Sequence, residues 1–295
     1  MNRFSIKDIE ILTGIKPHTI RIWEQRYGIL QPQRTATNIR YYSDNDLKLM
    51  LNVSLLNKMG YKISKITCLS ADEIENKVRS MAESACDADI NLGVLLNCLV
   101  SLDEEAFEDL LNKNLNCIGL EMTMNNIIFP FLQRIGMLWL GGSIAPAFEH
   151  FFTNLVRQKL IAAIDKQERK IGPDSKNFLL FLPPNEPHEL GLLYAHYLIR
   201  SRGHRSIYMG LNLPVHHILC ANEMYKPDYV LTALTTCVKI KAVEEFVQHI
   251  SKAFSQSKIL ISGTQALNRC FQVPHNARLV TDFDDFIFLL ENKIS

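Results

Sequence analysis

The chain of 295 residues has no uninterrupted apolar span of membrane length, and its amino terminus lacks the charged, apolar, small-residue order of a signal peptide. A cytoplasmic location with no membrane partner is the default expectation. No Cys-x-x-Cys pair occurs, and the seven cysteines, at 68, 86, 98, 117, 220, 237 and 270, are scattered and odd in number. They read as buried thiols in a reducing compartment, which leaves no support for a disulfide framework or a zinc site. No nucleophile, base and acid stand in an arrangement that would make a hydrolytic or redox centre. The remaining histidines, His216-His217 among them, are dispersed, and catalysis is not expected. Net charge is also nearly absent, at +1, yet it is unevenly spread. Residues 1–70 hold eleven Lys and Arg against five Asp and Glu, a surplus of six positive charges that leaves the rest at −5. A small basic head on an acidic body points to a polyanionic partner for the head. What the chain does have is a hydrophobic content of 47% and enough length for two or three domains with proper cores.

Within the head, Ser5 caps a helix carrying Ile6, Ile9, Ile11 and Leu12, and Thr13-Gly14 ends it. Pro17 opens a second helix bearing Ile20, Ile22 and Trp23 with Arg21, Glu24, Gln25, Arg26 and Tyr27. Helix, glycine turn, helix is the helix-turn-helix pattern, whose second helix enters the major groove of DNA. A short segment from Arg34 to Tyr42 follows, and Ser43-Asp44-Asn45-Asp46 starts a long helix with a capping box. Thr19-Ile20-Arg21-x-Trp23-Glu24-x-Arg26-Tyr27-Gly28 together with Arg40-Tyr41-Tyr42 closely resembles the winged helix-turn-helix of MerR-type transcriptional regulators, over about the first 70 residues. The resemblance implies Arg21, Arg26, Arg34, Arg40 and Tyr42 as DNA contacts, with promoter DNA as partner, and leaves Trp23 to the core.

From Asp72 to Gly172 apolar residues recur at spacings of three and four, which predicts helices near 72–86, 88–101, 103–115, 118–140 and 146–170, packed as a bundle. Leu140-Gly141-Gly142-Ser143-Ile144-Ala145-Pro146 joins the last two. Trp139, nine residues, then Glu149-His150 looks like the signature of the helical cap in light-responsive, cobalamin-dependent MerR-type repressors. That resemblance implies that Trp139 lies over the adenosyl group of adenosylcobalamin and that Glu149 and His150 contact it. Leu140 stands where photoreceptor members carry a histidine that captures cobalt after illumination. Leucine has no ligating atom, so a stable light-state adduct is not expected.

Gly172 to Asn177 reads as a linker, and beyond it strands near 178–182, 206–211, 228–235, 258–262 and 278–281 alternate with helices near 190–202, 215–225, 239–254, 265–271 and 283–292. Five strand-helix units predict a doubly wound parallel sheet, Rossmann-like or flavodoxin-like. In such a sheet, ligands bind outside the carboxyl ends of the strands. Asn185-Glu186-Pro187-His188-Glu189-Leu190-Gly191 follows the first strand there. A neutral imidazole in that loop can bind a transition metal through one nitrogen, the other being held by a carboxylate, Glu186 or Glu189. Glu186-x-His188-x-x-Gly191 resembles the Asp-x-His-x-x-Gly motif of cobalamin-binding domains, with Glu for Asp. The resemblance implies His188 as lower ligand of cobalt, Glu186 as its partner and Gly191 beside the cofactor. It extends to Thr232-x-Leu234 for a Ser-x-Leu at the nucleotide tail, and to Ser262-Gly263-Thr264, which matches half of a Gly-Gly turn.

Three domains are therefore expected: a winged helix-turn-helix over 1–70, a four-helix-bundle cap over 72–172 and a Rossmann-like cobalamin-binding domain over 176–295. The function they imply is a DNA-binding repressor controlled by adenosylcobalamin through homo-oligomerisation as a dimer or tetramer. Two alternatives stay open. One is a MerR-type regulator whose sensor domain takes another ligand or only dimerises, and the other is a corrinoid carrier for a methyltransferase.

Overall fold

The computed structural model describes residues 3–84, 88–140, 145–168, 170–235, 240–268 and 271–292. It divides into two units, Met1–Leu155 and Val156–Ser295.

In the first unit, Ser5 and Asp8 exchange side-chain and backbone hydrogen bonds at the start of α1 (Ile6–Thr13), and Pro17 opens α2 (Pro17–Tyr27). Phe4, Ile9, Leu12, Ile20 and Trp23 are buried, so Trp23 belongs to the core of the head. The antiparallel ribbon of β1 (Gln33–Arg34) and β2 (Arg40–Tyr41) forms the wing, with Gln33 opposite Tyr41 and Arg34 opposite Arg40. The next helix, α3 (Asp44–Lys58), starts on the expected Ser43–Asp46 capping box, and Ser54 Oγ donates to the Thr13 carbonyl at 2.7 Å. That bond satisfies one of the carbonyls that α1 leaves open at its end.

Further helices complete the unit: α4 (Ile63–Ile66), α5 (Ala71–Ser84), α6 (Ala88–Ser101), α7 (Glu104–Thr123), α8 (Phe129–Leu140) and the first half of α9 (Pro146–Asp165). Where the periodicity predicts a break near 116, the helix runs on and is kinked at Gly119. A π-helical turn, Met124–Ile128, interrupts the expected 118–140 helix just before Pro130. Proline has no N–H for the carbonyl four residues back, and a wider turn relieves the clash of its ring. Phe152 of α9 fills the bundle core against Phe107 and Phe131, with ring centroids 5.0 and 4.3 Å away. Cys98 is a buried thiol whose pKa is pushed up to about 12, by burial and then by Asp103. Cys68 and Cys220 are exposed thiols and Cys117 is disulfide-bonded, so burial as a free thiol holds for Cys98 alone among the described cysteines.

The second unit is the expected doubly wound sheet. Its strands, β3 (Asn177–Leu180), β4 (Arg205–Tyr208), β5 (Tyr229–Ala233), β6 (Lys258–Ser262) and β7 (Ala277–Leu279), are all parallel in the order β4-β3-β5-β6-β7. Helices cover both faces, so the central strands read as continuous apolar runs, and every residue of β5 is buried. On one face α11 (Val215–Tyr225) and α12 (Ile240–Ala253) bury Ile218, Val247 and Ile250 against Leu179, Val230 and Ile259. On the other, Tyr194 of α10 (Glu189–Ser201) meets Phe283 of α14 (Phe283–Glu291) edge to face at 4.7 Å. The short α13 (Thr264–Leu267) follows β6. The order of strand addition switches sides at β3, with β4 added on one side and β5 on the other, and the crevice at the carboxyl ends of β3 and β5 is where such a sheet binds ligands.

Candidate functional site

The crevice is built by the two loops that leave β3 and β5. After Leu180 the chain stays buried through Phe181 and Leu182 and turns at Pro183-Pro184. Asn185 adopts a left-handed conformation with φ 66°, and its N–H donates to Asn212 Oδ1 at 3.2 Å. That turn sends Glu186 inward, where its side chain is only 3% exposed. Burying a carboxylate is costly unless donors surround it. Here three do: Oε1 accepts from His188 Nδ1 at 2.6 Å and from the His188 backbone N–H at 3.2 Å, and Oε2 accepts from the Thr235 N–H at 2.5 Å. An ionised carboxylate only accepts, so a proton sits on Nδ1 of the imidazole, and in the neutral ring the lone pair then falls on Nε2. His188 stands at the N-cap position of α10 with a half-exposed ring. The methylene that distinguishes Glu186 from aspartate is used: it lets one carboxylate span from His188 to the β5 loop. Glu189, the other carboxylate the sequence offers to His188, is engaged elsewhere. It accepts from Arg157 Nε at 2.7 Å and from Tyr208 OH at 2.6 Å.

Around this pair, Thr232 in β5 is fully buried and its Oγ1 has no hydrogen-bond partner. A Cβ added at Gly191 would meet only Phe283, at an ordinary 3.8 Å, so packing within the chain does not demand glycine there. Gly263 is different. Its φ is +97° and a Cβ would fall 2.4 Å from the Leu234 carbonyl oxygen, so the close approach of the β5 and β6 loops by itself requires glycine. Deeper in α10, His196 is buried, and burial followed by the nearby Arg200 charge pushes its pKa down to about 4. Among the described residues no three His, Cys, Asp or Glu side chains form a group that could hold a metal ion.

The remaining candidates lie in the first unit. Trp139 and Leu140 are in α8, and their side chains fall outside the described residues, as do residues 141–144. Glu149 is part-exposed and His150 exposed in the first turn of α9, where the Thr153 hydroxyl donates to both of their carbonyls, at 2.9 and 3.2 Å.

In the head, Arg21 and Arg26 are exposed on α2, with the Arg26 guanidinium 5.5 Å from the Tyr27 ring centroid. Arg34 Nη1 donates to Asn38 Oδ1 at 2.7 Å across the wing turn. Arg40 Nε approaches Glu24 Oε2 at 4.0 Å. Tyr42 departs from its expected place on the surface. It is fully buried, and its hydroxyl donates to Glu24 Oε1 at 2.5 Å, so it cannot reach a phosphate and instead ties the wing to α2. Burial, followed by that bond and the Glu24 charge, raises the Tyr42 pKa. Glu24, largely buried, is the residue the sequence reading passed over. Its signal was an acidic side chain on an otherwise basic helix, but nothing local announces a partner 18 residues away.

Residues 4–72 match the model of the MerR HTH family regulatory proteins, and residues 93–163 match that of the B12 binding domain. These matches give the class, a MerR-type helix-turn-helix head followed by a B12-binding domain whose match falls on the helices α6 to α9, with the Rossmann-like parallel sheet, from Asn177 on, lying beyond both matches. Within it, the chain is homologous to the HTH-type transcriptional repressor CarH of Myxococcus xanthus, 26% identical over 247 residues, with 82% of this chain and 81% of the relative covered. The repressor CarA of the same organism is also 26% identical, over 260 residues and 84% and 81% of the two chains. Among solved structures, the monomethylamine corrinoid protein of Methanosarcina barkeri shares the fold, with a TM-score of 0.50 at 10% identity over 73% of this chain and 96% of that one.

Proposed function

We propose that this chain is a transcriptional repressor whose hold on promoter DNA is set by adenosylcobalamin bound through His188. The observation that carries the reading is the Glu186 carboxylate, buried between His188 Nδ1 and the Thr235 N–H. It orients the ring and raises the basicity of Nε2, which is how the second partner of a metal-bound imidazole acts. Bound cobalamin supplies a cobalt centre that accepts an imidazole nitrogen. Two further features fit that group. Thr232 Oγ1 is a buried hydroxyl in want of a partner, which a nucleotide tail would provide, and Gly191 is a glycine with no packing reason inside the chain. Trp139, Glu149 and His150 are assigned to the adenosyl side on their sequence signature. Leu140 has no atom for a metal, so a stable light-state adduct at that position is not expected.

On DNA, Arg21 and Arg26 of α2 enter the groove and Arg34 and Arg40 of the wing meet the backbone, with Tyr42 and Glu24 positioning the wing. One head reads one half-site, so a homo-oligomer is required. If cofactor binds the assembled form better than the monomer, the same free energy that favours binding favours assembly.

The test is an absorption spectrum of the full chain mixed with adenosylcobalamin in darkness and desalted, beside His188→Ala. The wild type should retain a corrinoid spectrum with the shift of an imidazole ligand, and the variant should lose that shift. A colourless wild type, or an unchanged spectrum in His188→Ala, overturns the assignment.

A further inference from the structure

At the amino ends of the strands, across the second unit from Glu186 and His188, lies a cavity of about 390 Å³. The turn between α10 and β4, the end of α11 and the segment before β3 line it, through Arg200, Gly203, Arg205, Ser206, Tyr225 and Lys170. Three cations, Arg200, Arg205 and Lys170, line it against one carboxylate, Glu168. Arg200 and Arg205 have no carboxylate within 4.0 Å among the described residues. Lys170 meets Glu168 at 3.3 Å, but both side chains are about 80% exposed and solvated. Two hydroxyls, Ser206 Oγ and Tyr225 OH, are shut off from solvent without a hydrogen-bond partner. Buried donors left in that state are costly, and native folds retain them where a partner arrives. Burial raises the Tyr225 pKa, so the phenol keeps its proton to donate.

The backbone is fitted to the same place. Gly203 has φ +77°, and a Cβ there would lie 2.6 Å from the Lys170 carbonyl oxygen. The segment carrying Lys170 is thus pressed against the turn that carries Arg205 and Ser206. His204, close by, is not part of the charge: its Nδ1 accepts from the Lys176 N–H at 3.2 Å, and burial lowers its pKa.

We propose that this pocket binds a phosphate-bearing small molecule, its phosphoryl oxygens held by Arg200, Arg205 and Lys170 and by the hydroxyls of Ser206 and Tyr225. The donors come from a helix end, a strand, a second helix and a connecting segment. Donors drawn from four separate segments suit a phosphoryl group, which offers three terminal oxygens, better than a carboxylate, which offers two. The site is independent of the His188 assignment and stands if that assignment falls.

The test is calorimetric titration of the full chain, in phosphate-free buffer at low ionic strength, with inorganic phosphate and separately with adenosine 5′-monophosphate. Saturable binding at one site per chain is expected. Arg205→Gln and Ser206→Ala should each weaken it roughly tenfold, the loss of one hydrogen bond to a charged group. Arg21→Ala, in the head, should leave it unchanged. Tyr225→Phe separates ligand binding from folding: it should weaken binding while the melting temperature without ligand stays the same or rises. Tighter binding of the nucleotide identifies a phosphorylated metabolite, and binding of inorganic phosphate alone identifies the free ion. No saturable binding of either probe, unchanged binding in Arg205→Gln and Ser206→Ala, or loss confined to Arg21→Ala overturns the proposal.

Discussion

Glu186 accepts hydrogen bonds from two different loops, so a change at this one side chain acts on both. In Glu186→Gln the amide keeps the shape but presents N–H groups where at least one of the three donors already points. The expected loss is about 1–3 kcal/mol of folding stability, the cost of leaving a buried donor unmet. Cobalamin binding should weaken by roughly 10–100-fold, as for the removal of other partners of metal-bound histidines. Urea unfolding and a cobalamin titration check the two parts separately. His196 yields a prediction about pH. Its pKa is near 6.5 unfolded and about 4 folded. Above pH 6.5 the ring is neutral in both states. Between 6.5 and 4 only the unfolded chain takes up the proton, so stability falls as pH falls, by about 3 kcal/mol in all for this group. Chemical denaturation at stepped pH should show a shallower loss over that window in His196→Leu than in the wild type.

The wing and the recognition helix are held together by the pair formed by Tyr42 and Glu24. Tyr42→Phe should cost about 1 kcal/mol of stability, since Glu24 keeps some access to water. The larger effect should fall on DNA affinity, because the wing's arginines then lose their fixed position relative to α2. Fluorescence anisotropy with an operator fragment, beside thermal melting, tells the two apart. Equal DNA affinity in the variant would reduce the bond to packing. At this same scale the sequence was most readable. The capping boxes at Ser5 and Ser43, the prolines that open α2 and α9, and the strand-helix alternation all act between near neighbours, and each of these elements stands within a few residues of its expected place. Two things escaped. The kink at Gly119 rests on a positive φ that glycine permits, and the π turn before Pro130 on how the helix accommodates a missing donor, and apolar spacing of three and four within the expected 118–140 helix shows neither. Tyr42 looked like a surface aromatic beside Arg40 because the pattern Arg-Tyr-Tyr does not say which tyrosine faces inward; its bridge to Phe4 decides that. The histidine loop was legible from its motif, whereas the second anchor of Glu186, on Thr235, is 49 residues away and belongs to the fold.

For the whole molecule, charge segregation sets the salt response. If all four proposed arginines of each head, Arg21, Arg26, Arg34 and Arg40, met phosphates in a dimer, the eight contacts would give a slope of log affinity against log salt near −7. Arg21→Ala should flatten that slope by about two units, one per head, if its contact is with phosphate. An affinity loss that is the same at every salt concentration, and that differs between operator and non-specific DNA, would instead assign Arg21 to a base edge. Filter binding from low to moderate salt on both DNAs supplies the comparison.

The Glu186 clasp also bears on how long a cofactor stays. The loop that presents His188 is already fastened to the neighbouring strand end before anything binds, so its ordering is completed during folding and no longer opposes association. A ring held in place in this way gives a departing ligand little slack to trade one contact for another. Occupancy should then be governed by slow escape more than by fast capture. A regulator built so would respond to the history of cofactor supply over its residence time and would not follow momentary changes in concentration.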